Sequence, residues 1–292
     1  MRKAVAAGMF YEKAKTLLDE QIKECFLEEK GPGTLPIKIN KSKKSLAIIS
    51  PHAGYSYSGM AAAWSFKAIA EQKMSDLYVI IGPNHYSTES GLTSETFEMP
   101  HGFVRVDQHF ARELVAKGTI KENNKIHINE HSIEVQIPFL QFIFRKNIEK
   151  LKILPILIGS DITRKELKNL AIDIKEVAMD MNKKITVIIS SDFTHYGSNY
   201  GYIPFESERQ KNIYALDNKA IDFIKNLDAE GFLDFVEQEQ MTICGAIPIY
   251  LLLNIIKDTD VLLEQYYTSA DLDPNSNYKN SVSYASIVFN EK

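Results

Sequence analysis

Three histidines of this sequence each follow a short run of apolar, mostly β-branched residues. The runs and their histidines are 46–50 with His52, 77–81 with His85, and 185–190 with His195. Such runs are typical of strands buried on both faces of a parallel sheet. The carboxyl ends of parallel strands open on one crevice, where ligands bind. We therefore expect the three imidazoles to lie close together, where they could bind a metal ion or transfer protons near neutral pH.

A mononuclear metal site of this kind needs a further, anionic ligand, and the sequence leaves several candidates open. These are Asp192, Glu130, Glu134 and Cys244. Cys244 opens an apolar stretch that is predicted to be helical, and a helix N-terminus lowers the pKa of a thiol. By position alone, however, a buried structural cysteine is the more frequent outcome.

The stretch NEHSIEVQ places His131 and Glu134 three residues apart near a predicted helix start. On a helix of that phase both side chains would share one face. Helix capping with an exposed pair of acids is the alternative, and the sequence leaves it open. The other histidines, His101, His109 and His127, have no such context and are expected at the surface.

Composition excludes several classes of protein. The 292 residues are 45% hydrophobic and 25% charged, with a net charge of −4, which is typical of an ordinary soluble globular protein. The densest basic cluster, 41–44, is predicted to be a solvated loop, so nucleic-acid binding is not expected. The first residues resemble mature chain and no segment approaches the roughly 18 apolar residues of a membrane span. With only two cysteines, we expect a cytoplasmic protein without disulfides and without membrane contact.

The order of the predicted elements indicates one α/β domain over residues 1–292. Apolar strand-like runs alternate with helical patterns, which favours a central, mostly parallel sheet flanked by helices. The predicted helices include 12–29, with four apolar positions on its core face, a helix through IEVQIPFLQFIFRK, and a helix capped by Thr163 and Glu166. The last two strands are predicted near the C-terminus, the final one antiparallel or at an edge. The irregular segment 87–108 is expected to be a functional loop.

Eight motifs, in order along nearly the whole chain, resemble one known family. They are AGMFY (7–11), SPHAGYSYSG (50–59), IGPNHYS (81–87), NEHSIEVQIPFL (129–140), LPILIG (154–159), SSDFTHYG (190–197), TICG (242–245) and SVSYAS (281–286). The sequence is identified on these motifs as a member of the Memo family, whose bacterial and archaeal members are called AmmeMemoRadiSam system protein B. The resemblance implies the single-domain fold of class III, LigB-type extradiol dioxygenases.

The resemblance also implies a metal pocket lined by two histidines and a cysteine. By motif these are His52, His85 and Cys244, which overturns the structural interpretation of the cysteine. Asp192 and His195 match residues beside the metal, and we expect His195, held by Asp192, to move protons as the catalytic pair.

Four further residues are predicted to contact substrate in this pocket. They are Tyr11, Tyr55, Tyr57 and His131. Gly54 is expected to ease the turn after the first histidine.

The leading hypothesis is a redox enzyme with one iron or copper ion per chain, zinc being possible, and no organic cofactor. A thiolate in place of the dioxygenases' carboxylate softens the site, which puts ring cleavage in doubt. One alternative is a non-catalytic module that binds a peptide, as the eukaryotic relative is described to do. Another is a His/His/Cys zinc hydrolase with His195 as general base. The partner is expected to be a small molecule or peptide, with a pathway link to Ammecr-type and radical-SAM proteins.

Overall fold

The computed structural model describes residues 1–37, 44–273 and 275–292. Within these residues the strands form one eleven-stranded mixed sheet. They are β1 (Arg2–Lys3), β2 (Ser45–Ser50), β3 (Leu77–Pro83), β4 (Gly91–Leu92), β5 (Phe97–Met99), β6 (Gly102–Val106), β7 (Lys152–Ile158), β8 (Ile185–Ser190), β9 (His195–Gly197), β10 (Thr259–Thr268) and β11 (Asn280–Glu291). The helices are α1 (Lys15–Leu27), α2 (Tyr55–Ala70), α3 (Gln108–Ala116), α4 (Ile137–Ile143), α5 (Arg164–Asp180), α6 (Arg209–Lys225), α7 (Ala229–Gln238) and α8 (Ala246–Ile255).

The centre of the sheet is parallel. The strand order is β1-β5-β6-β7-β3-β8-β2-β11-β10, and the pairs from β6 to β2 all run parallel. Residues such as Ile48, Ile80 and Ile188 are fully buried there, because both faces of the sheet are covered. The prediction of a single α/β domain with a central parallel sheet is confirmed. The likeness to LigB-type dioxygenases stays a prediction.

This strand order brings the predicted site residues to one edge. Strands β3, β8 and β2 are direct neighbours, so the loops that follow their carboxyl ends meet. The loop after β2 turns at once into α2, whose Ser65 hydroxyl donates a hydrogen bond to the Ile49 carbonyl 2.8 Å away. The helix is thereby fixed against the strand that leads to His52.

The last strand, β11, is antiparallel to its neighbours, which is one of the two positions predicted for it. β11 pairs with both β2 and β10, so the edge of the sheet is β10 and not the last strand. The first residues of β11 also pair with β9, where Val282 lies opposite His195. Gly197 sits in that pairing with a φ of 120°, where an added Cβ would lie 2.2 Å from the Lys279 carbonyl oxygen, so only glycine fits.

Other local predictions had mixed outcomes. The capping box of Thr163 and Glu166 is present at the start of α5, and the core face predicted for 12–29 is buried in α1. The helix predicted through IEVQIPFLQFIFRK is divided, because Pro138 occupies the first turn of α4 and a short 3₁₀ turn (Glu134–Gln136) precedes it. Segment 87–108 is not an irregular loop, since it contains β4, β5 and β6.

Two expectations concern charge and the membrane. The basic cluster 41–44 lies outside the described residues except for Lys44. In the part of the chain that the structure describes, the helices are all too short or too polar to cross a bilayer.

Candidate metal centre

His52, His85 and His131 form a compact cluster at the carboxyl edge of the sheet. One ring nitrogen from each lies within 4.8 Å of the other two. The ring centroids are 5.2 Å apart for His52 and His85, 5.5 Å for His52 and His131, and 4.8 Å for His85 and His131. Three imidazoles at this spacing can bind one metal ion together, as in three-histidine sites. The sequence assigned His131 to substrate contact, whereas the structure places it beside the two predicted ligands.

The ring of His52 is held by a serine on the neighbouring strand. The Ser190 hydroxyl donates its proton to the Ser132 carbonyl 2.5 Å away, so it can only accept from His52 Nδ1, which lies 2.8 Å from it. Nδ1 therefore carries the proton, and the lone pair of Nε2 points to the cluster. Burial, together with the nearby imidazole of His85, lowers the pKa of His52 well below its usual value. The ring is therefore neutral, as a metal ligand must be.

A buried glutamate orients the second histidine. Glu130 Oε1 accepts a hydrogen bond from His85 Nδ1 at 3.0 Å, and Oε2 accepts one from the His85 backbone N–H at 2.6 Å. Burial raises the pKa of Glu130, but the hydrogen bonds from His85 and from the Ser132 backbone outweigh burial and lower it to about 2. An ionised carboxylate that holds the far nitrogen of an imidazole is the usual support of a metal-binding histidine.

His131 stacks between an aromatic residue and its histidine neighbour. The ring of Phe10 lies 4.5 Å away, centroid to centroid, and that of His85 lies nearly parallel at 18°. Burial lowers the pKa of His131 to about 4, so this ring is also neutral near pH 7. Its Nδ1 lies 3.3 Å from Glu130 Oε1 but is buried without a hydrogen-bond partner among the described residues. The expected shared helix face with Glu134 is not formed, because Glu134 faces Arg2 instead.

Cys244 lies next to this cluster, 3.2 Å from His52 Nε2. Its sulfur also accepts a hydrogen bond from the Asp192 backbone N–H, at 3.2 Å. Burial and the nearby Asp192 carboxylate raise the pKa of the Cys244 thiol well above its usual value. The expected lowering of this pKa is not found, because burial dominates; Cys244 precedes the first residue of α8 by two positions. Without a metal ion the thiol keeps its proton and can donate it to His52 Nε2.

His195 is oriented by main-chain carbonyls. Its Nδ1 lies 2.9 Å from the carbonyl oxygen of Phe193 and 3.0 Å from that of Thr242, so Nδ1 is the protonated nitrogen. The hydroxyl of Thr242 also fixes the backbone N–H of His195, at 2.8 Å. The lone pair of Nε2 is left for the cavity. The predicted support of His195 by Asp192 is therefore replaced by these carbonyls.

Asp192 holds the turn that carries His52. Its Oδ1 accepts the backbone N–H of His52 at 2.8 Å and that of Ala53 at 3.4 Å. Burial raises the pKa of this carboxyl, although the two backbone hydrogen bonds and the nearby His195 oppose the shift. The glycine expected to ease this turn is not needed for its backbone, because Gly54 has a φ of −55°.

The three histidines of the cluster, Asp192 and His195 line one cavity of about 580 Å³. Tyr57 lines it as predicted, but Tyr11 and Tyr55 do not. Both are buried in the core. The Tyr11 hydroxyl donates a hydrogen bond to Glu134 Oε1 at 2.5 Å, and the Tyr55 hydroxyl donates one to the Val135 carbonyl at 2.7 Å. The aromatic residues that line the cavity with Tyr57 are Phe10, Tyr200 and Tyr284.

The comparisons with known proteins show the family of this chain. The model of the Memo-like protein family matches residues 2–288. The chain belongs to the Memo family. A MEMO1 family protein of Methanopyrus kandleri is 34% identical over 298 residues, which cover 99% of this chain and 98% of the relative. A MEMO1 family protein of Caldivirga maquilingensis is 36% identical over 99% of this chain and 98% of the relative. A MEMO1 family protein of Thermotoga neapolitana is 34% identical over 93% of this chain and 94% of the relative.

This Memo-family chain also uses residues that the sequence did not single out as supports. Ser190, Glu130 and Thr242 orient the imidazoles of His52, His85 and His195, respectively. Gly245 allows two loops to touch, since an added Cβ would lie 2.3 Å from the Ser191 Cβ. In the sequence, the position of Glu130 directly before His131 could have indicated that it supports a histidine. His127, expected at the surface, is buried. His101, also expected there, is partly buried, and its side chain pairs with Asp19 at 3.0 Å.

Proposed function

We propose that this Memo-family protein binds one transition-metal ion at His52, His85 and His131, with Cys244 as an adjoining sulfur donor, and uses it in a redox reaction. The observation that carries the proposal is the cluster of three imidazoles, of which two have Nδ1 held by a fixed acceptor. Such support is what metal ligands need, because it fixes both the tautomer and the ring plane.

The donor set favours iron or copper over magnesium or calcium. Imidazole and thiolate are soft or intermediate ligands, and the hard ions prefer several oxygen ligands. When bound, such an ion would supply one-electron or oxygen chemistry to a substrate in the cavity. The protein's own contribution would be to exclude water with its aromatic wall and to accept a proton at His195 Nε2.

Metal content tests the proposal directly. Protein purified without oxygen is analysed by elemental mass spectrometry, as the natural chain and as the variants His52→Ala, His85→Ala and His131→Ala. We expect about one ion per chain in the natural protein and at least a tenfold loss of affinity in each variant. His109→Ala is the matched control, because that side chain is 62% exposed on α3. Stoichiometric metal in all three cluster variants would refute the proposal.

The part played by the sulfur needs its own comparison. Cys244→Ala should weaken metal binding and reduce the preference for soft ions, because a thiolate is the softest donor at the site. Cys25→Ala is the control, since Cys25 is a buried core residue between α1 and α2. Equal metal affinity and selectivity in both cysteine variants would leave Cys244 outside the ligand set.

A zinc hydrolase is the second candidate, and the geometry of His195 supports it. An imidazole whose Nδ1 is bound by main-chain carbonyls and whose Nε2 has no protein partner could activate a water molecule as general base. Reconstitution with iron, copper or zinc distinguishes the hydrolase from the redox enzyme. Zinc has no redox chemistry, so activity of the zinc-loaded protein would indicate hydrolysis. A phosphopeptide adaptor has less support, since the residues that line the cavity, all of them described, include neither Lys nor Arg.

A further inference from the structure

A cavity of about 610 Å³ lies at the amino edge of the central parallel strands, at the other end of these strands from the histidine cluster. Its lining residues come from the loops that precede β7, β3 and β8, three strands that are neighbours in the sheet. Polar residues predominate in this lining, among them Lys73, Lys150, Lys183, Asn147 and Asn182. The lining of the histidine cavity shares none of them.

The charge of this amino-edge cavity is positive. Its lining contains three lysines and one acid, Asp76. Lys183 pairs with Asp107, whose side chain is 9% exposed, so this ammonium group is held in place. Lys73 and Lys150 are exposed and form no ion pair with any described residue. Two ammonium groups are therefore available to an anion, and lysine is a common ligand of phosphate.

Hydrogen bonds fix the two loops that form one side of the cavity. The backbone N–H of Asp76 donates to the Lys184 carbonyl at 2.9 Å, and Asp76 Oδ2 accepts the backbone N–H of Lys184 at 2.9 Å. The hydroxyl groups of Ser75 and Thr186 are hydrogen-bonded at 2.7 Å. The carboxylate of Asp76 is thus engaged with the main chain. A ligand would meet loops that are already ordered, which lowers the entropic cost of binding.

Two amide side chains add hydrogen-bond donors without charge. Asn182 follows the C-terminal end of α5 with a φ of 50°, a left-handed conformation that asparagine tolerates at this position. Asn147 precedes the short 3₁₀ turn before β7. Neither amide group forms a hydrogen bond with a described residue, so both can donate to a ligand that lies between the lysines.

We propose that the amino-edge cavity binds a small anion with a diphosphate group, whose oxygens accept hydrogen bonds from Lys73, Lys150 and Lys183 and from the amides of Asn147 and Asn182. A diphosphate carries several negative charges and many acceptor oxygens, which suits a cavity with three ammonium groups and two amides. The bound anion would connect the loops before β3, β7 and β8 and stabilise the folded chain. The proposal is independent of the metal site.

Three probes test this inference on the full-length, metal-free protein, since diphosphates bind metal ions. Pyrophosphate and adenosine diphosphate distinguish a free diphosphate from one attached to an organic group, and sulfate is the anion without the second charged group. Affinities are measured at pH 7 and constant ionic strength by calorimetry or ³¹P NMR, because salt screens such contacts. We expect at least one diphosphate to bind about tenfold more tightly than sulfate and to raise the midpoint of thermal unfolding.

Variants locate the binding. The double variant Lys73→Gln, Lys150→Gln should lower the affinity for the diphosphate about tenfold. The double variant Lys165→Gln, Lys225→Gln is the matched control, because it changes two exposed lysines on α5 and α6 and has the same net charge. Asn182→Gly keeps the left-handed backbone, removes the amide and should lower the affinity by about threefold. Equal losses in the two double variants would mean that only the overall charge attracts the anion, and this result would overturn the inference. Diphosphates that bind no more tightly than sulfate would overturn it as well.

Discussion

At the scale of single residues, the site depends on which nitrogen of each imidazole carries the proton. In three of the histidines, Nδ1 faces an oxygen that can only accept a hydrogen bond. This oxygen is a serine hydroxyl for His52, a carboxylate for His85 and a main-chain carbonyl for His195. The Nε2 lone pairs are then available to a metal or a substrate proton. Because His52 and His131 are buried, they stay neutral well below pH 7, and no proton needs to be displaced from them when a metal binds.

Glu130→Gln should test this orientation at one position. The change removes the negative charge behind His85 while keeping the size of the side chain, and loss of such a support typically lowers metal affinity by about 10- to 100-fold. Affinity is measured by competition with a chelator, and thermal unfolding of the metal-free protein reports on folding. Glu122→Gln, an exposed glutamate that bonds to Ser94, is the control. Unchanged affinity in the Glu130 variant would show that the carboxylate does not act through the imidazole.

At the scale of elements, a helix fixes the loop that carries His195. Asp217 of α6 is fully buried and accepts hydrogen bonds from the Thr194 hydroxyl at 2.6 Å, from the Thr194 backbone at 3.3 Å and from Tyr266 of β10 at 2.5 Å. The loop after β8 is thus tied to α6 and to the edge strand. Burial raises the pKa of Asp217 despite these hydrogen bonds.

The raised pKa of Asp217 predicts a dependence of stability on pH. In the unfolded chain an aspartate titrates near pH 4 (about 3.9), so between that value and the higher folded pKa the native state binds more protons. This group's contribution to the free energy of unfolding is therefore fully present below about pH 4 and falls as pH rises through the folded pKa.

Asp217→Asn removes this titration and gives the measurement. The free energy of unfolding of the natural chain minus that of the variant, from urea titrations at pH 4 and pH 7, should be smaller at pH 7. Asp222→Asn changes an exposed aspartate of the same helix and should leave the difference independent of pH. A difference that grows with pH would mean that hydrogen bonding outweighs burial at Asp217.

At the scale of the whole molecule, the N-terminal residues hold the segment that carries Glu130 and His131 in place through an ion pair and hydrogen bonds. Arg2 and Glu134 form an ion pair in which both side chains are at most 2% exposed. The guanidinium also donates to the carbonyls of His127 at 3.0 Å and Glu130 at 2.5 Å, while Glu134 accepts the backbone N–H of Ala6 at 2.8 Å. The first strand of the chain therefore contributes to the geometry of the site without touching it.

Arg2→Ala should be strongly destabilising, because it leaves the Glu134 carboxylate buried without a cation. Breaking a buried pair in this way typically costs roughly 3–5 kcal/mol, which urea unfolding would measure. The double variant Arg2→Ala, Glu134→Gln should recover part of the loss, since the unpaired charge is gone. Lys3→Ala, the exposed neighbour in β1, serves as the control and should change stability by less than about 0.5 kcal/mol. A loss for Arg2→Ala no larger than that of the control would mean that the pair is not needed for folding.

Much of this organisation could be predicted from the sequence because the relevant signals are local. Apolar runs such as 77–81 and 185–190 indicate buried parallel strands, and a histidine after each run indicates which edge of the sheet is functional. The capping box at Thr163 is equally local. The motifs also predicted membership of the Memo family, and the match of the family model over residues 2–288 confirms it.

What the tertiary structure alone decided are contacts between segments far apart in the chain. No spacing rule connects Arg2 with Glu134, Asp217 with Thr194, or His195 with the Thr242 carbonyl. The same holds for Tyr11 and Tyr55, whose motifs suggest a pocket but whose hydroxyls are used within the core. Sequence periodicity reports which face of an element is buried, whereas the direction of a polar side chain depends on which partner from a distant segment satisfies its hydrogen bonds.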